Sequence, residues 1–259
     1  MTAPLLFSPI SLGRLTLSNR IMISPMCQYS AVDGDMNDWH RAHLNSLALS
    51  GAGLLCIEAT AVSPEGRITP GCVGLYQASN ISAMKAVVDS IRAISPIKLA
   101  IQLGHAGRKG SSRRPWEGGA LMTPAEGGWE TVSASSVPHK PDEHAPVALS
   151  SVRIKELVKQ FAEGARHARQ LGFDAIEVHA AHGYLVHQFL SPLANQRTDE
   201  FGGPLENRAR ILLEIIKAIR AEVGDVLPIF VRFSATDYRE DGWDVVQTAE
   251  VAKWCSELG

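Results

Sequence analysis

The residue types capable of chemistry in this sequence stand where short apolar runs end. The first run, Ile21 to Ser24, opens onto Pro25, Met26, Cys27 and Tyr29, and the second, Leu54 to Thr60, carries Glu58, Ala59 and Thr60. The third, Lys98 to Leu103, ends in Gln102, Gly104, His105 and Arg108. The fourth, Ala175 to His179, ends in a histidine with His182 and Tyr184 just beyond, and the fifth, Ile229 to Ser234, carries Arg232. Imidazole, phenol, thiol and guanidinium groups supply acid–base, nucleophilic and anion-binding chemistry. Each also has a plain structural reading. His179 alone reads equally as a core histidine bonded to a carbonyl, and His182 and Tyr184 on the same turn weaken that reading. Cys27 reads equally as a small buried hydrophobe. Arg232, inside Phe230-Val231-Arg232-Phe233, must pair with an acid such as Glu58 or Glu177, or must face an anion, because desolvating a bare charge costs several kcal/mol. Trp39, Trp129, Trp243 and Trp254 read as packing residues.

Continuous apolar runs of this length suit parallel strands covered on both faces. Amphipathic stretches alternate with them. Asp38 to Leu49 carries Trp39, Leu44, Leu47 and Ala48 near helical spacing, and Ile81 to Ile94 follows Asn80 as its cap. Ser150 to Gln170 opens with serine and an acid-rich turn, and Arg208 to Val223 and Asp244 to Leu258 complete the helices. Gly51 and Gly172 supply left-handed turns that close a helix before the next strand. This alternation predicts βα units and a parallel sheet. The first strand is followed by no glycine-rich phosphate turn, which disfavours a doubly wound sheet. An α/β, (β/α)8 TIM barrel is the expected fold. Only five βα units are legible in the 259 residues, so the chain reads as a single incomplete barrel domain with its C-terminal part missing. The irregular stretch of about 104–148, rich in Gly, Pro and Ser, reads as a lid-like insertion after the third strand.

Composition excludes other classes. Apolar residues make up 45% and charged residues 20% of the chain, and 25 basic against 27 acidic side chains leave a net charge of −2. That balance argues against nucleic acid as a partner. No apolar run reaches the roughly 18 residues a membrane helix needs. The opening MTAPLLFSPISLGR lacks the basic and apolar regions of a signal peptide. Cys27, Cys56, Cys72 and Cys255 form no CxxC pair and read as reduced thiols, so a cytoplasmic location is expected.

Six segments carry a family resemblance in order: Ser24-Pro25-Met26-Cys27-Gln28-Tyr29, Glu58-Ala59-Thr60-Ala61-Val62, Gln102-Leu103-Gly104-His105-Ala106-Gly107-Arg108-Lys109, His179-Ala180-Ala181-His182-Gly183-Tyr184-Leu185, Asn195 to Gly203, and Glu206-Asn207-Arg208. From about Phe7 to Gly259 the sequence resembles the Old Yellow Enzyme family of FMN-dependent ene-reductases, most nearly its bacterial xenobiotic reductases with cysteine in the first-strand motif. The resemblance implies an FMN-dependent NAD(P)H oxidoreductase, an NADPH dehydrogenase-type enzyme. It would reduce the activated C=C bonds of α,β-unsaturated carbonyl or nitro compounds by ping-pong hydride transfer.

It further implies that Ser24, Pro25 and Met26 line the flavin face, Cys27 sits at the reactive ring edge, Ala59 and Gln102 bond the ring, and Arg232 places its charge by N1 and the C2 carbonyl. His179 and His182 would bind the substrate oxygen, Tyr184 would deliver a proton, and Tyr29 would line the substrate site. NADPH or NADH would be the hydride donor, and the full-length form would be a homo-oligomer. In the family the FMN phosphate is held after the seventh and eighth strands, which this chain lacks.

Two alternatives stand beside that reading. One is a catalytically inactive truncated remnant. The other is a metal-dependent barrel hydrolase using His105, His179, His182 and Glu58 as ligands, although the first strand offers no HxH pair.

Overall fold

A computed structural model describes residues 4–259. The chain opens with an antiparallel hairpin of β1 (Ile10–Leu12) and β2 (Leu15–Leu17), turned at Gly13 with φ +58°. Then come β3 (Met22–Ile23), α1 (Asp38–Ala48), β4 (Leu54–Ala61), α2 (Ala78–Ile94) and β5 (Lys98–Gly104). A short pair, β6 (Val132–Ser133) and β7 (Val147–Ala148), precedes α3 (Ser151–Gln170) and β8 (Ala175–Ala180). After these follow α4 (Leu185–Leu190), α5 (Leu205–Val223), β9 (Ile229–Phe233) and α6 (Val245–Ser256). The main sheet has five strands in the order β3-β4-β5-β8-β9, every neighbouring pair parallel. This is the expected βα repeat in a partial barrel, with all five strands where the apolar runs put them.

Strand side chains alternate between faces, and the alternation sorts this sheet into two cores. Leu55, Ile57, Leu99, Ile101, Leu103, Ile176 and Val178 face outward and pack with Leu44, Met84, Ile91, Phe161 and Ile215 of the helices. Leu54, Cys56, Ala100 and Ala175 face inward, where Leu15 and Leu17 of the hairpin cover them with help from Met22 and Phe230. The hairpin therefore plugs the N-terminal end of the strand bundle. It was not legible in the sequence, because three-residue strands show too little alternation to stand out.

Helix ends hold several corrections. Asn80 does not cap α2: the helix begins two residues earlier, after Gln77, and Asn80 is buried with its amide donating to the Asp33 carbonyl at 3.1 Å. Ser150 does cap α3, accepting the Arg153 amide at 3.3 Å, but no acid lies in that first turn. Asp244 caps α6 through the Gln247 amide at 2.8 Å. Gly51 and Gly172 both adopt the left-handed backbone, at φ +83° and +81°. The helix α4 escaped the sequence reading because all six of its residues are buried, leaving no polar stripe. On α1 the buried set is His40, Leu44 and Ala48; Trp39 lies 59% exposed, donating its indole N–H to Gln28 Oε1 at 3.2 Å, and is not a packing residue.

The stretch between β5 and α3 is irregular but tied down. Val132 and Ser133 pair with Val147 and Ala148, and Arg108 Nη1 donates to the carbonyls of Val137 at 3.0 Å and Pro138 at 3.3 Å. Among the described residues, no helix is long and apolar enough to cross a membrane.

Candidate active site

The inward face changes character one step above the hairpin plug. Going toward the C-terminal end, β4 passes from Leu54 and Cys56 to Glu58, and β5 from Ala100 to Gln102. On β8, Ala175 gives way to Glu177 and His179, and on β9 Phe230 gives way to Arg232. Register brings these groups together: Gln102 lies opposite Glu177, and His179 opposite Arg232.

Glu177 joins two of them. Its Oε1 accepts the Gln102 amide at 2.6 Å and Arg232 Nε at 3.0 Å. Arg232 thus finds its acid in Glu177, not Glu58, and the pair answers the desolvation cost that made the arginine conspicuous in the sequence. Only one edge of the guanidinium is used: among the described residues the terminal nitrogens of Arg232 and the amide oxygen of Gln102 have no hydrogen-bond partner. Free donors beside a free acceptor at the strand ends suit the hydrogen-bonding edge of a flat heterocycle.

The histidine–tyrosine turn packs against this patch. The rings of His179 and His182 lie 5.0 Å apart, as do those of His179 and Tyr184, both edge to face. His179 Nδ1 accepts the Ala181 amide at 3.3 Å, which leaves its proton on Nε2. Burial, with the neighbouring His182 and Arg232, pushes His179 down to about 3, so it is a neutral donor at ordinary pH. Burial lowers His182 as well, with Arg232 and Lys109 adding to it. His182 sits at φ +60°, a backbone that favours glycine, asparagine or aspartate. Two contacts hold it there: its amide donates to Ser234 Oγ at 2.8 Å, and its carbonyl accepts Lys109 Nζ at 2.8 Å. Strain retained against such a preference marks a position fixed by its surroundings. Burial raises the Tyr184 phenol, which keeps its proton, and Lys109 Nζ stands 4.9 Å from its ring centre.

The first-strand motif forms the opposite wall. Ser24 and Met26 are exposed on either side of half-buried Pro25. Cys27 faces the Tyr29 hydroxyl and the Ala59 amide, and burial pushes its thiol up, with Cys72 and Glu58 reinforcing the effect. Tyr29 is the second strained residue of the site, at φ +52°; its carbonyl accepts Arg114 Nε at 2.9 Å and its ring meets Trp116 edge-on at 5.9 Å. Ala59, His105, His179 and Tyr184 line one cleft. His105 is buried there with Nδ1 accepting the Gly107 amide at 3.0 Å.

All the residues singled out in the sequence therefore lie at one end of the sheet. Glu177, one of the two acids the sequence offers Arg232, carries the same signal as the arginine, a charge within an apolar strand; Lys109 carries no such signal and is placed only by the structure. The proposed metal ligands do not gather: among the described residues no three His, Cys, Asp or Glu side chains are placed to hold an ion.

A model of the NADH:flavin oxidoreductase / NADH oxidase family matches residues 5–259. The chain belongs to that family. FMN is the family's cofactor, and its members take electrons from NAD(P)H. The chain is 44% identical over 261 residues to an NADH:flavin oxidoreductase of Gibberella zeae, covering 95% of this chain and 63% of that protein. It is 42% identical over 256 residues to an NADPH dehydrogenase of Bacillus subtilis, covering 98% and 70%. Among solved structures, morphinone reductase superposes with a TM-score of 0.83 at 28% identity, covering all of this chain and 70% of that one. An old yellow enzyme homologue from Zymomonas mobilis gives 0.82 at 28% identity, covering 98% and 71%. The chain thus spans about two thirds of the length of these relatives, and the Old Yellow Enzyme resemblance and partial barrel both hold.

Proposed function

We propose that this chain carries the ring-binding and substrate-binding parts of an FMN-dependent NAD(P)H oxidoreductase that reduces activated C=C bonds in enones and nitroalkenes. The observation that carries the reading is the convergence of two neutral histidines and a protonated tyrosine beside a half-used arginine. Gln102, Arg232 and the Ala59 backbone would hold the polar edge of the flavin, with Ser24, Pro25 and Met26 against its face and Cys27 at its reactive edge. When bound there, FMN would supply the hydride-transfer chemistry that links the nicotinamide to the substrate.

The chain's own groups do the rest. Arg232 offers positive charge beside the ring, which favours a reduced, anionic flavin. His179 Nε2–H and the His182 imidazole aim donors at one substrate oxygen, drawing electron density away from the conjugated double bond. Because both histidines are pushed down by burial, they donate without carrying charge of their own. Tyr184 holds a proton at Oη for the substrate's α-carbon, and Tyr29 lines the substrate side. The segment of about 104–148 would serve as the lid, and nicotinamide and substrate would use the same opening in turn.

Anaerobic mixing tests this reading. The flavin-loaded protein, reduced with one equivalent of NADPH, should be reoxidised by 2-cyclohexenone and by a nitroalkene but not by cyclohexanone. Reoxidation by dioxygen alone would contradict the substrate class.

A further inference from the structure

One buried acid in the site takes no part in these roles. Glu58 lies on the inward face of β4, 3% exposed, and is neither the partner of Arg232 nor a metal ligand. Its Oε2 accepts the backbone amide of Gln28, the residue after Cys27, at 3.0 Å. Its Oε1 stands 3.6 Å from Nε2 of His40, too far for a hydrogen bond. His40 is fully buried in the first turn of α1, where its Nδ1 lies 3.2 Å from both the Asn37 amide nitrogen and Asn37 Oδ1; accepting the amide leaves the ring hydrogen on Nε2. His40 Nε2 has no hydrogen-bond partner, and the Glu58 carboxyl is the acid beside it. A buried acid with one backbone bond, facing a buried and otherwise orphaned imidazole N–H, is not a packing arrangement. Apolar residues would fill the space at lower desolvation cost.

We propose that Glu58, backed by His40, is a positioning residue for Cys27: its carboxyl anchors the loop through the Gln28 amide while its protonation state sets the negative charge next to the thiol. Burial of both partners decides that state. Glu58 is pushed up to about 8, against the pull of the Gln28 amide, and His40 is pushed down to about 4 by burial and by neighbouring His43. At neutral pH both are uncharged and Cys27 faces a neutral acid. Through about pH 8 the carboxylate appears, and it opposes any thiolate beside it. Among the described residues the titratable groups near Glu58 are His40 with His43 behind it on α1, Cys27 and Tyr29 on the loop after β3, and Cys72 on the loop after β4. Further along the inward face, Gln102, Glu177 and Arg232 are engaged with one another. The inference adds to the flavin reading a residue that tunes the first-strand cysteine, and its effect on the thiol holds whether or not the substrate class is right.

The test is the alkylation rate of Cys27 by iodoacetamide in the flavin-loaded protein, assigned by peptide mass to separate it from Cys56, Cys72 and Cys255. Glu58→Gln keeps an acceptor for the Gln28 amide but removes the charge. Its rate should equal that of the parent near pH 6.5 and exceed it about tenfold near pH 9, whereas Glu58→Asp should retain the suppression. A ratio that stays constant with pH would reduce Glu58 to a loop anchor and overturn the proposal. If Glu58→Gln fails to fold, infrared titration of the parent with isotope-labelled glutamate decides instead. A buried protonated carboxyl present at pH 7 and lost by about pH 9 supports the proposal, and its absence at pH 7 overturns it. Failure of enone reoxidation with an intact thiol effect would count against the substrate class alone.

Discussion

The two ends of the strand bundle share the same strands and the same inward face, yet their contents are opposite. At the N-terminal end, Leu54, Cys56, Ala100 and Ala175 meet the hairpin leucines and form a dry plug. One step along each strand, Glu58, Gln102, Glu177 and Arg232 form a polar layer in which two hydrogen bonds converge on one carboxylate oxygen. The lower layer is held by the removal of apolar surface from water. In the upper layer Arg232 and Glu177 compensate each other's charge, and the terminal nitrogens of Arg232 stay free. An apolar layer and a polar layer are thus stacked along one axis and not mixed.

Substitutions in each layer can break that separation. Leu54→Ala, in the plug, should cost about 3 kcal/mol of stability by opening a cavity, lowering Tm by roughly 6–12 °C in calorimetry while leaving the flavin potential unmoved. A shifted potential would show that the layers are coupled. Glu58 should act through pH. Its folded pKa lies above that of an exposed carboxyl, so between about pH 4.5 and 8 the folded state holds a proton that the unfolded state releases, and stability falls as pH rises. His40 acts in the opposite direction, because below about pH 6.5 the unfolded imidazole takes a proton that the buried one refuses. The two nearly cancel up to about pH 6.5. Above it the parent should lose about 1–2 kcal/mol by pH 8, and Glu58→Gln should show a flatter profile in urea melts at each pH. The smallest effect on the fold is expected from Cys27→Ser, which changes little volume. Its stability should stay within about 1 kcal/mol of the parent while the flavin potential shifts, and the reverse pattern would make Cys27 a core residue.

Much of this layering was legible because polar residues in apolar strands are conspicuous. Arg232, Gln102 and His179 each interrupt a run that otherwise reads as buried, and the structure places all three on one face. The acid that pairs with Arg232 stayed open between Glu58 and Glu177, since choosing it needs the β8–β9 register. His40 was hidden for a different reason: a tryptophan beside a histidine at the start of α1 suggests that the tryptophan is buried, whereas the capping geometry at Asn37 turns His40 inward. The hairpin plug and α4 left no periodic trace, the first through shortness and the second through complete burial.

In the reading proposed above, the polar mouth divides its work: Arg232 and its neighbours would serve the flavin, and the histidine pair would serve the substrate oxygen. Stopped-flow measurement of the two half-reactions in His179→Ala and His182→Ala tests it most directly. Flavin reduction by NADPH should change by no more than a few fold, and flavin reoxidation by 2-cyclohexenone should slow by about 10²-fold in either variant. Equal slowing of both half-reactions, or reoxidation at the parent rate, would contradict the division.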